Sequence, residues 1–414
     1  MSERSAKGSL LTIFLIVFID LIGFGMVLPL LPVFAEHFQV DQHGLTIGLL
    51  MASFSAMQFL FAPLWGRVSD RVGRRPILMI GLAGSVVFYF LFGIATIYRS
   101  MVLLFISRIG AGIAGATIST AHAYIADVTT LENRTKGMAL IGAAFGLGFT
   151  LGPLFAVLAL LGEANEPGPG PGYAASGLSA LALLLAWFKL PESLPQGGGH
   201  TARKWLDSSA LHEALSTPSV GLLLLTSFVC VFSFANFEST LSLSIFRSTS
   251  LSSIEHDLAF RLGRICQIFA FIGLTLMIVQ GGIVRRLSGR ISDGTIAATG
   301  AVLQIVGFAF QIWFTQHYSV GPMLFALALT VSGFAFVTPS LNAMISRRSD
   351  PAKQGSILGL GQSISSLARI LGPMAGIPLF KIQPALPLAT AAGLMVLGLA
   401  CVLVAARRGK DFGK

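Results

Sequence analysis

The 414-residue chain has few charged residues and few cysteines. Charged side chains make up only 11% of the sequence, whereas 54% of its residues are hydrophobic. This balance excludes a water-soluble globular protein, whose surface needs a larger share of charge. The three cysteines, Cys230, Cys266 and Cys401, lie in apolar runs and lack metal-ligand spacing, so we predict that they are packing residues.

Nucleotide-binding motifs are also absent from the sequence. No P-loop is present, and the glycine-rich turns lack the strand and helix that would make them phosphate-binding loops. An ATP-driven pump is therefore disfavoured. We expect no enzyme activity, no cofactor and no metal ion.

Long apolar runs dominate the chain instead. Runs of about 20 apolar residues can cross a bilayer as helices, and we predict an all-α membrane protein with twelve of them. The first run is too long for a signal-peptide core and lacks a small-residue cleavage site, so we expect it to remain as a span. The runs lie near residues 10–33, 45–66, 77–97, 101–125, 137–162, 173–190, 218–246, 262–284, 294–316, 321–345, 354–379 and 384–406.

Lys and Arg are distributed unevenly between the segments that join these runs. If both termini are cytoplasmic, most positive charges fall in inner segments, and the outer segments hold only Arg99, Arg247, Arg261 and Lys381. Positive loops stay on the cytoplasmic side, so we predict a multi-pass protein of a bacterial inner membrane with both termini in the cytoplasm. The net charge of +10 then reflects topology and contact with anionic lipid headgroups, and requires no nucleic-acid partner.

Short motifs of the first half of the chain recur in the second half. Gly152-Pro153 of the fifth run recurs as Gly372-Pro373 in the eleventh. Internal repetition is typical of transporters built from duplicated bundles that hold substrate near the membrane midplane. A polar, glycine-rich stretch separates the halves. We predict an N-terminal six-helix bundle (1–190), a cytoplasmic linker (191–217) and a C-terminal six-helix bundle (218–414).

Only two acidic residues, Asp20 and Glu238, lie inside the apolar runs. A charge at such depth costs at least about 2.5 kcal/mol, so it usually faces a cavity or a partner. Asp20 comes roughly 15 Å into the first run, near mid-membrane. Burial favours the protonated acid and a nearby cation favours the carboxylate, so Asp20 is a candidate proton site. The alternative is a structural Asp that is permanently paired or caps a kink.

Two arginines are candidate partners for these acids. Arg108 of the fourth run lies about 5 Å from Asp20 in depth, and we expect it to tune the protonation of Asp20. The alternative is an arginine that joins helices through backbone carbonyls. Arg369 of the eleventh run lies about 8 Å from Glu238 along the axis. Glu238 is thus a second candidate for proton coupling or cation binding, or a residue of the aqueous outer mouth.

Polar and aromatic residues of the runs are candidates for a substrate cavity. Aromatic side chains near polar groups suit an amphipathic aromatic substrate. His122 could titrate near neutrality, or it is a hydrogen-bonded residue at a helix end. The candidate cavity residues are Phe24, Gln58, His122, Phe149, Asn236, Phe237, Asn342, Gln362 and Arg369.

A short basic turn joins the second and third runs. Its glycines, acid, arginines and proline resemble the loop 2–3 signature of the major facilitator superfamily. The fifth run contains Gly148, Gly152 and Pro153, which resemble the antiporter motif of exporters in that family, with Ala156 and Val157 where two glycines are expected. Glycines four apart also permit close helix packing. The turn reads Gly66-Arg67-Val68-Ser69-Asp70-Arg71-Val72-Gly73-Arg74-Arg75-Pro76.

Residues 10–190 resemble the twelve-span drug:proton antiporters, especially the tetracycline-efflux-like branch, through residues 18–25 and 123–129. The resemblance implies rocker-switch alternating access, with Arg108 involved in proton coupling and the Asp70 turn latching the outward-facing state from the cytoplasmic side. Residues 294–316 contain no acid, whereas tetracycline pumps use a carboxylate there, so metal-tetracycline exchange is not expected. The implied latch residues are Gly66, Asp70, Arg71, Gly73, Arg74, Arg75 and Asp127.

These features predict a monomeric transporter, powered by the proton gradient, that exports small lipophilic or amphipathic compounds by antiport. In this hypothesis Asp20 binds a proton from outside, and protonation competes with substrate or drives its release. The alternative is a proton-coupled symporter or facilitator for an organic anion or lipid-like metabolite, with Arg108 and Arg369 as anion anchors. A third class, a membrane receptor or scaffold that has lost transport, predicts no proton movement when ligand is added.

Overall fold

The computed structural model describes residues 3–38, 41–160, 167–194, 218–250, 258–315, 320–349 and 354–408. These residues form helices and connecting turns, and no β-sheet occurs among them. Twelve helical segments are long and apolar enough to cross a membrane. Helices suit that role because they satisfy their backbone hydrogen bonds without water. The predicted all-α fold with twelve spans is therefore confirmed.

The first half of the described chain supplies six of these spans. The helices α5 and α6 together make one span, and the short helix α2 follows the first span. In chain order the helices are α1 (Glu3–Val27), α2 (Leu31–Phe38), α3 (Leu45–Val72), α4 (Arg74–Ile97), α5 (Met101–Gly115), α6 (Ile118–Val128), α7 (Leu131–Ala159) and α8 (Gly170–Lys189).

The second half supplies the other six. A π-helical segment, Val279–Val284, joins α10 to α11 within a single span. The helices of this half are α9 (Pro218–Ser250), α10 (Leu258–Ile278), α11 (Arg285–Leu287), α12 (Asp293–Phe314), α13 (Val320–Arg348), α14 (Gln354–Ile382) and α15 (Leu386–Arg408).

The first and fourth predicted spans are each divided into two helices in the structure. The first run was expected to continue to residue 33, but α1 ends at Val27 and α2 begins at Leu31. Pro29 and Pro32 explain the break, because proline lacks an amide donor and disfavours helical geometry in the residue before it. The fourth run divides after Gly115, where the Thr117 hydroxyl donates to the Ala114 carbonyl at 2.9 Å.

The helices group into two compact units. The first comprises Met1–Val40, Ser53–Arg203 and Thr249–Leu274, and the second comprises Asp41–Ala52, Lys204–Ser248 and Thr275–Lys414. Residues 195–217 of the expected linker lie outside the described residues. The domain boundaries at 190 and 218 therefore stay a prediction.

Within the first unit, α1 packs against α7 with almost no side chain between them. A β-carbon added at Gly25 would lie 2.7 Å from the carbonyl oxygen of Gly148, and one added at Gly152 would lie 2.7 Å from the Cα of Gly25. Pro153 lies inside α7, which continues to Ala159. Gly148 and Gly152 thus permit close helix contact, and the exporter role of the motif with Pro153 stays a prediction.

The helix α4 packs against both α5 and α8 in the same unit. The Ser176 hydroxyl of α8 donates to the Val86 carbonyl of α4 at 2.8 Å. This contact fixes α8 beside the middle of α4. It brings hydroxyl groups from both helices to the face of α1 that carries Asp20.

Candidate functional site

Asp20 is held by two serine hydroxyls. Ser179 of α8 donates to Oδ1 at 2.7 Å, and Ser85 of α4 donates to Oδ2 at 3.5 Å. No ion pair joins Asp20 to a cation within the part of the chain that the structure describes. Both serines were missed in the sequence, where an isolated hydroxyl in an apolar run is only a weak signal. The candidate proton site therefore has uncharged partners.

Arg108 is one of the most deeply buried side chains of the first unit. It is 2% exposed, and its guanidinium carbon lies 4.6 Å from the ring centroid of Phe54 and 5.9 Å from that of Phe24. Its Nε is buried and has no hydrogen-bond partner in the described part of the chain. Among the described residues it forms no ion pair. Arg108 thus presents a cation to aromatic rings and is not paired with Asp20 in this conformation.

An aromatic cluster surrounds this guanidinium. The ring centroid of Phe24 lies 4.8 Å from that of Phe54 and 5.7 Å from that of Phe149. Gln58 of α3 donates from Nε2 to the Gly115 carbonyl at 3.3 Å, at the end of α5. The structure therefore brings together Phe24, Phe149 and Arg108, three of the residues singled out in the sequence. Phe54 is an addition that only its contacts reveal.

His122 makes its hydrogen bond within its own helix, α6. Its Nδ1 is 3.1 Å from the Ile118 carbonyl oxygen one turn earlier in α6. That contact suits an imidazole that donates from Nδ1 to its own helix. This geometry agrees with the alternative that His122 is a hydrogen-bonded helix residue. A role for His122 in substrate binding stays a prediction.

The second unit contains its own buried polar group, Asn236 of α9. Its Nδ2 donates to the Pro387 carbonyl at 3.2 Å and to the Thr390 hydroxyl at 3.0 Å, while its Oδ1 has no partner. The neighbouring Phe237 is 1% exposed and packs edge-on against Phe308. Both candidate cavity residues thus lie inside helix packing in this conformation.

Glu238 and Arg369 are electrostatic neighbours in the second unit. They form no ion pair in the portion of the chain that is described. Glu238 is half-buried, whereas Arg369 is exposed, as are Asn342 and Gln362. Their roles in proton coupling and substrate binding stay predictions.

The basic turn forms a polar cluster around Arg74. This side chain is buried, and its guanidinium pairs with Asp70 at 2.5 Å and with Asp127 of α6 at 3.1 Å. It also donates to the Ser69 hydroxyl at 2.7 Å. The structure thus joins three of the implied latch residues, Asp70, Arg74 and Asp127. Gly66 is open on the side where a β-carbon would point, and Arg71 is exposed.

Glu192, which follows α8, holds the start of α4. Its carboxylate accepts hydrogen bonds from the backbone amides of Arg74 at 2.9 Å and Arg75 at 3.1 Å. Gly73 has a φ of 114°, and a β-carbon there would meet the Glu192 carboxylate. Carboxylates stabilise helix N-termini, where amides lack intrahelical partners. Arg75 adds a bond from Nη2 to the Trp187 carbonyl at 2.6 Å.

Replacing Arg74 with glutamine is expected to lower the free energy of unfolding by about 2 kcal/mol, because it leaves two neighbouring carboxylates without their shared cation. We expect a smaller loss of stability than for a fully buried ion pair, because Asp70 is 38% exposed and solvent screens the interaction. Thermal unfolding in detergent measures the change. Arg71→Gln, in the same turn but exposed, is the matched control. Equal melting temperatures for the two variants would contradict the assigned role of Arg74.

Twelve apolar spans, with a half-buried acid and a buried arginine inside them, are typical of membrane transport proteins. Residues 13–373 match the family model of the Major Facilitator Superfamily. The chain therefore belongs to the Major Facilitator Superfamily and is a transporter, not an enzyme.

Several relatives resemble nearly the whole chain. Major facilitator superfamily domain-containing protein 10 of Mus musculus is 30% identical, over 89% of this chain and 86% of its own length. The class D tetracycline resistance protein of Salmonella ordonez is 29% identical, over 87% of this chain and 86% of its own length. Both likenesses extend over more than four fifths of each protein.

Solved structures show the same fold. The human organic anion transporter MFSD10 (TETRAN) has a TM-score of 0.70 at 26% identity, covering 96% of this chain and 99% of that one. A D-xylose-proton symporter has a TM-score of 0.73 at 17% identity, covering 99% and 98%. The second likeness concerns the fold alone.

Proposed function

We propose that this chain is a proton-coupled secondary active transporter that exports small lipophilic or amphipathic compounds by alternating access. The observation that carries the proposal is the setting of Asp20 in a membrane-spanning helix, with Ser179 and Ser85 as its hydrogen-bond partners. A buried carboxylate that lacks a fixed cation is costly, and proton binding removes that cost.

Serine partners suit both protonation states of the acid. A hydroxyl donates one hydrogen bond and accepts others, so Ser179 can donate to the carboxylate or accept from the protonated carboxyl. The two states then need little rearrangement of α1 and α8. A lysine or arginine in the same place would favour only the charged form. Asp20 is therefore suited to load and release a proton.

The relatives named tetracycline resistance proteins support export. The cluster of Asp70, Arg74 and Asp127 is the proposed latch, formed in one conformation of the transport cycle and released in another. We propose that both termini are cytoplasmic, that the protein is a monomer in a bacterial inner membrane, and that the proton gradient supplies the energy without a cofactor.

Reconstitution in liposomes with an internal pH dye tests the proposal. The probes are tetracycline, tetraphenylphosphonium and 1-naphthoate, each added under an imposed pH gradient. Antiport predicts that probe and proton move in opposite directions, and that collapse of the gradient stops probe accumulation. Movement of both in the same direction would replace antiport with symport. Probe movement without protons would leave a facilitator, and neither movement would favour a receptor or scaffold.

Arg108 supports a second candidate function, proton-coupled transport of an organic anion. Its cation lies over two phenylalanine rings, and its Nε has no partner. This arrangement suits an aromatic carboxylate, which would pair with the guanidinium and pack on the rings. The likeness of this chain to the solved structure of a human organic anion transporter also supports transport of an organic anion.

Arg108→Gln is expected to weaken 1-naphthoate transport at least about tenfold, because a charge-assisted hydrogen bond in a buried site is lost. Uptake at several concentrations in liposomes gives the change in apparent affinity. Arg264→Gln is the matched control, since Arg264 also lies over a phenylalanine ring, 5.5 Å from the centroid of Phe260. An unchanged affinity for 1-naphthoate would remove Arg108 as the anion anchor.

A further inference from the structure

Tyr89 of α4 lies near both charged groups of the first unit. It is 3% exposed, and it is an electrostatic neighbour of Asp20 and of Arg108. Asp20 and Arg108 form no ion pair with each other among the described residues. We infer that Tyr89 is a positioning residue that links the charge of Asp20 to Arg108. The inference deepens the proposed function and rests on it for its biological meaning.

The helix geometry places Tyr89 beside the weaker bond of Asp20. Tyr89 comes four residues after Ser85 in α4, so both lie on one face of the helix, about 6 Å apart along the axis. The bond from Ser85 to Oδ2 of Asp20 measures 3.5 Å, against 2.7 Å for the bond from Ser179 to Oδ1. Oδ2 is thus the more weakly bonded oxygen, and Tyr89 lies one helical turn from its donor.

Two charged groups among the described residues act on Tyr89. The helix α1 contributes Asp20 and α5 contributes Arg108, which are its two electrostatic neighbours. From α8, Ser176 and Tyr173 contact α4 and Ser179 contacts Asp20. A phenol can donate to a carboxylate and accept from a guanidinium, which suits a residue that has one group of each kind nearby. Tyr89 keeps its own proton in this role.

The expected behaviour follows from this chemistry. When Asp20 loses its proton, a hydrogen bond from Tyr89 stabilises the carboxylate, and the phenol oxygen turns its lone pairs toward Arg108. The protonated acid needs no such donor. Occupation of the Arg108 site by an anion would then alter how tightly Asp20 holds its proton, which couples two groups that do not touch.

Infrared spectroscopy of the purified full-length protein in lipid tests the inference without a transport substrate. The carbonyl stretch of a protonated carboxyl disappears on deprotonation, and the band missing in Asp20→Asn identifies Asp20. In Tyr89→Phe the midpoint for loss of this band is expected to move to higher pH by about one unit, because the carboxylate loses a donor. Tyr173→Phe, which alters a tyrosine stacked on Phe90 at 5.1 Å, is expected to keep the wild-type midpoint.

A second measurement needs no variant at position 89. In the wild-type protein, a tyrosine ring band is expected to change across the same pH range as the Asp20 band, and this change is expected to be absent from Asp20→Asn. An unshifted midpoint in Tyr89→Phe, or no tyrosine change coupled to Asp20, would overturn the inference. Failure of the proposed function is distinguishable, since it would appear as absent proton flux in liposomes while the infrared coupling persists.

Discussion

Asp20→Asn is expected to abolish substrate-driven proton movement, reducing it to the level of protein-free liposomes. Asparagine has nearly the shape of aspartic acid and keeps an oxygen that can accept from Ser179, which donates to Asp20 at 2.7 Å. It cannot bind or release a proton in the physiological range. The variant therefore removes titration and leaves the packing of α1 against α8 in place. Proton flux with an internal dye and probe transport, measured on the same liposomes, check the prediction.

The control for this experiment is an acid in a purely structural position. Asp41 accepts from the backbone amides of Gly44 at 2.9 Å and Ile47 at 3.1 Å, and so caps the start of α3. Asp41→Asn keeps a capping oxygen and is expected to retain proton flux. If Asp20→Asn moves protons with every probe as well as wild type does, the proposed coupling site is wrong. If only probe transport persists, Asp20 couples protons to a transporter that can also run uncoupled.

Much of the fold follows from the sequence because the bilayer restricts what a span can be. A helix must supply about 20 apolar residues, so the number of spans depends on counting such runs and not on tertiary contacts. The ends of the spans depend on local chemistry instead. Pro29 and Pro32 separate α1 from α2, and an apolar run alone does not reveal that break, since membrane helices tolerate proline elsewhere. Pro153 lies within α7 and does not end it.

The candidate site was less predictable than the fold. Depth along each helix indicates that Asp20 and Arg108 lie at similar levels, and both act electrostatically on Tyr89. The rise per residue does not give the direction in which each side chain points. Arg108 faces the rings of Phe24 and Phe54, and that orientation depends on how α5 packs, which one sequence does not show.

The serine partners of Asp20 show a second limit. A hydroxyl in an apolar helix often bonds to the carbonyl four residues earlier, as Thr226 does with Leu222 at 2.7 Å. Ser179 bonds to Asp20 instead. The sequence around the two residues gives no means of telling these cases apart, because the difference lies in whether an acid from another helix is within reach.

Glu192, which follows α8, contacts the proposed latch of Asp70, Arg74 and Asp127. The sequence of the basic turn alone does not predict this contact. It caps α4 through the amides of Arg74 and Arg75, and Ser193 next to it donates to Asp127 at 3.1 Å. The same aspartate pairs with Arg74. Movement of α8 would therefore alter the start of α4 and the Arg74 cluster together, so the proposed latch joins the ends of α3, α4, α6 and α8.

Gly152→Leu is expected to destabilise the protein by at least about 3 kcal/mol, because overpacking against backbone cannot be relieved by a side-chain rotation. A β-carbon at this position would lie 2.7 Å from the Cα and carbonyl carbon of Gly25 and 2.7 Å from the carbonyl oxygen of Ile22. The helices α1 and α7 would have to separate. Yield after solubilisation and thermal unfolding in detergent measure the loss.

Gly146→Leu on the same helix is the matched control. Among the described residues, no atom beyond the adjacent residues and the nearby backbone of α7 lies within 4 Å of a β-carbon added at Gly146, so a side chain there starts in open space. Replacing a helical glycine also removes its entropic cost of about 0.5–1 kcal/mol, so this variant is expected to unfold at the wild-type temperature or slightly above it. Equal destabilisation by the two leucines would mean that their size or polarity matters and the contact with α1 does not. If Gly152→Leu lowers the unfolding temperature and Gly146→Leu does not, the loss is due to the packing of Gly152 on Gly25. This packing keeps α1, the helix that carries Asp20, against α7.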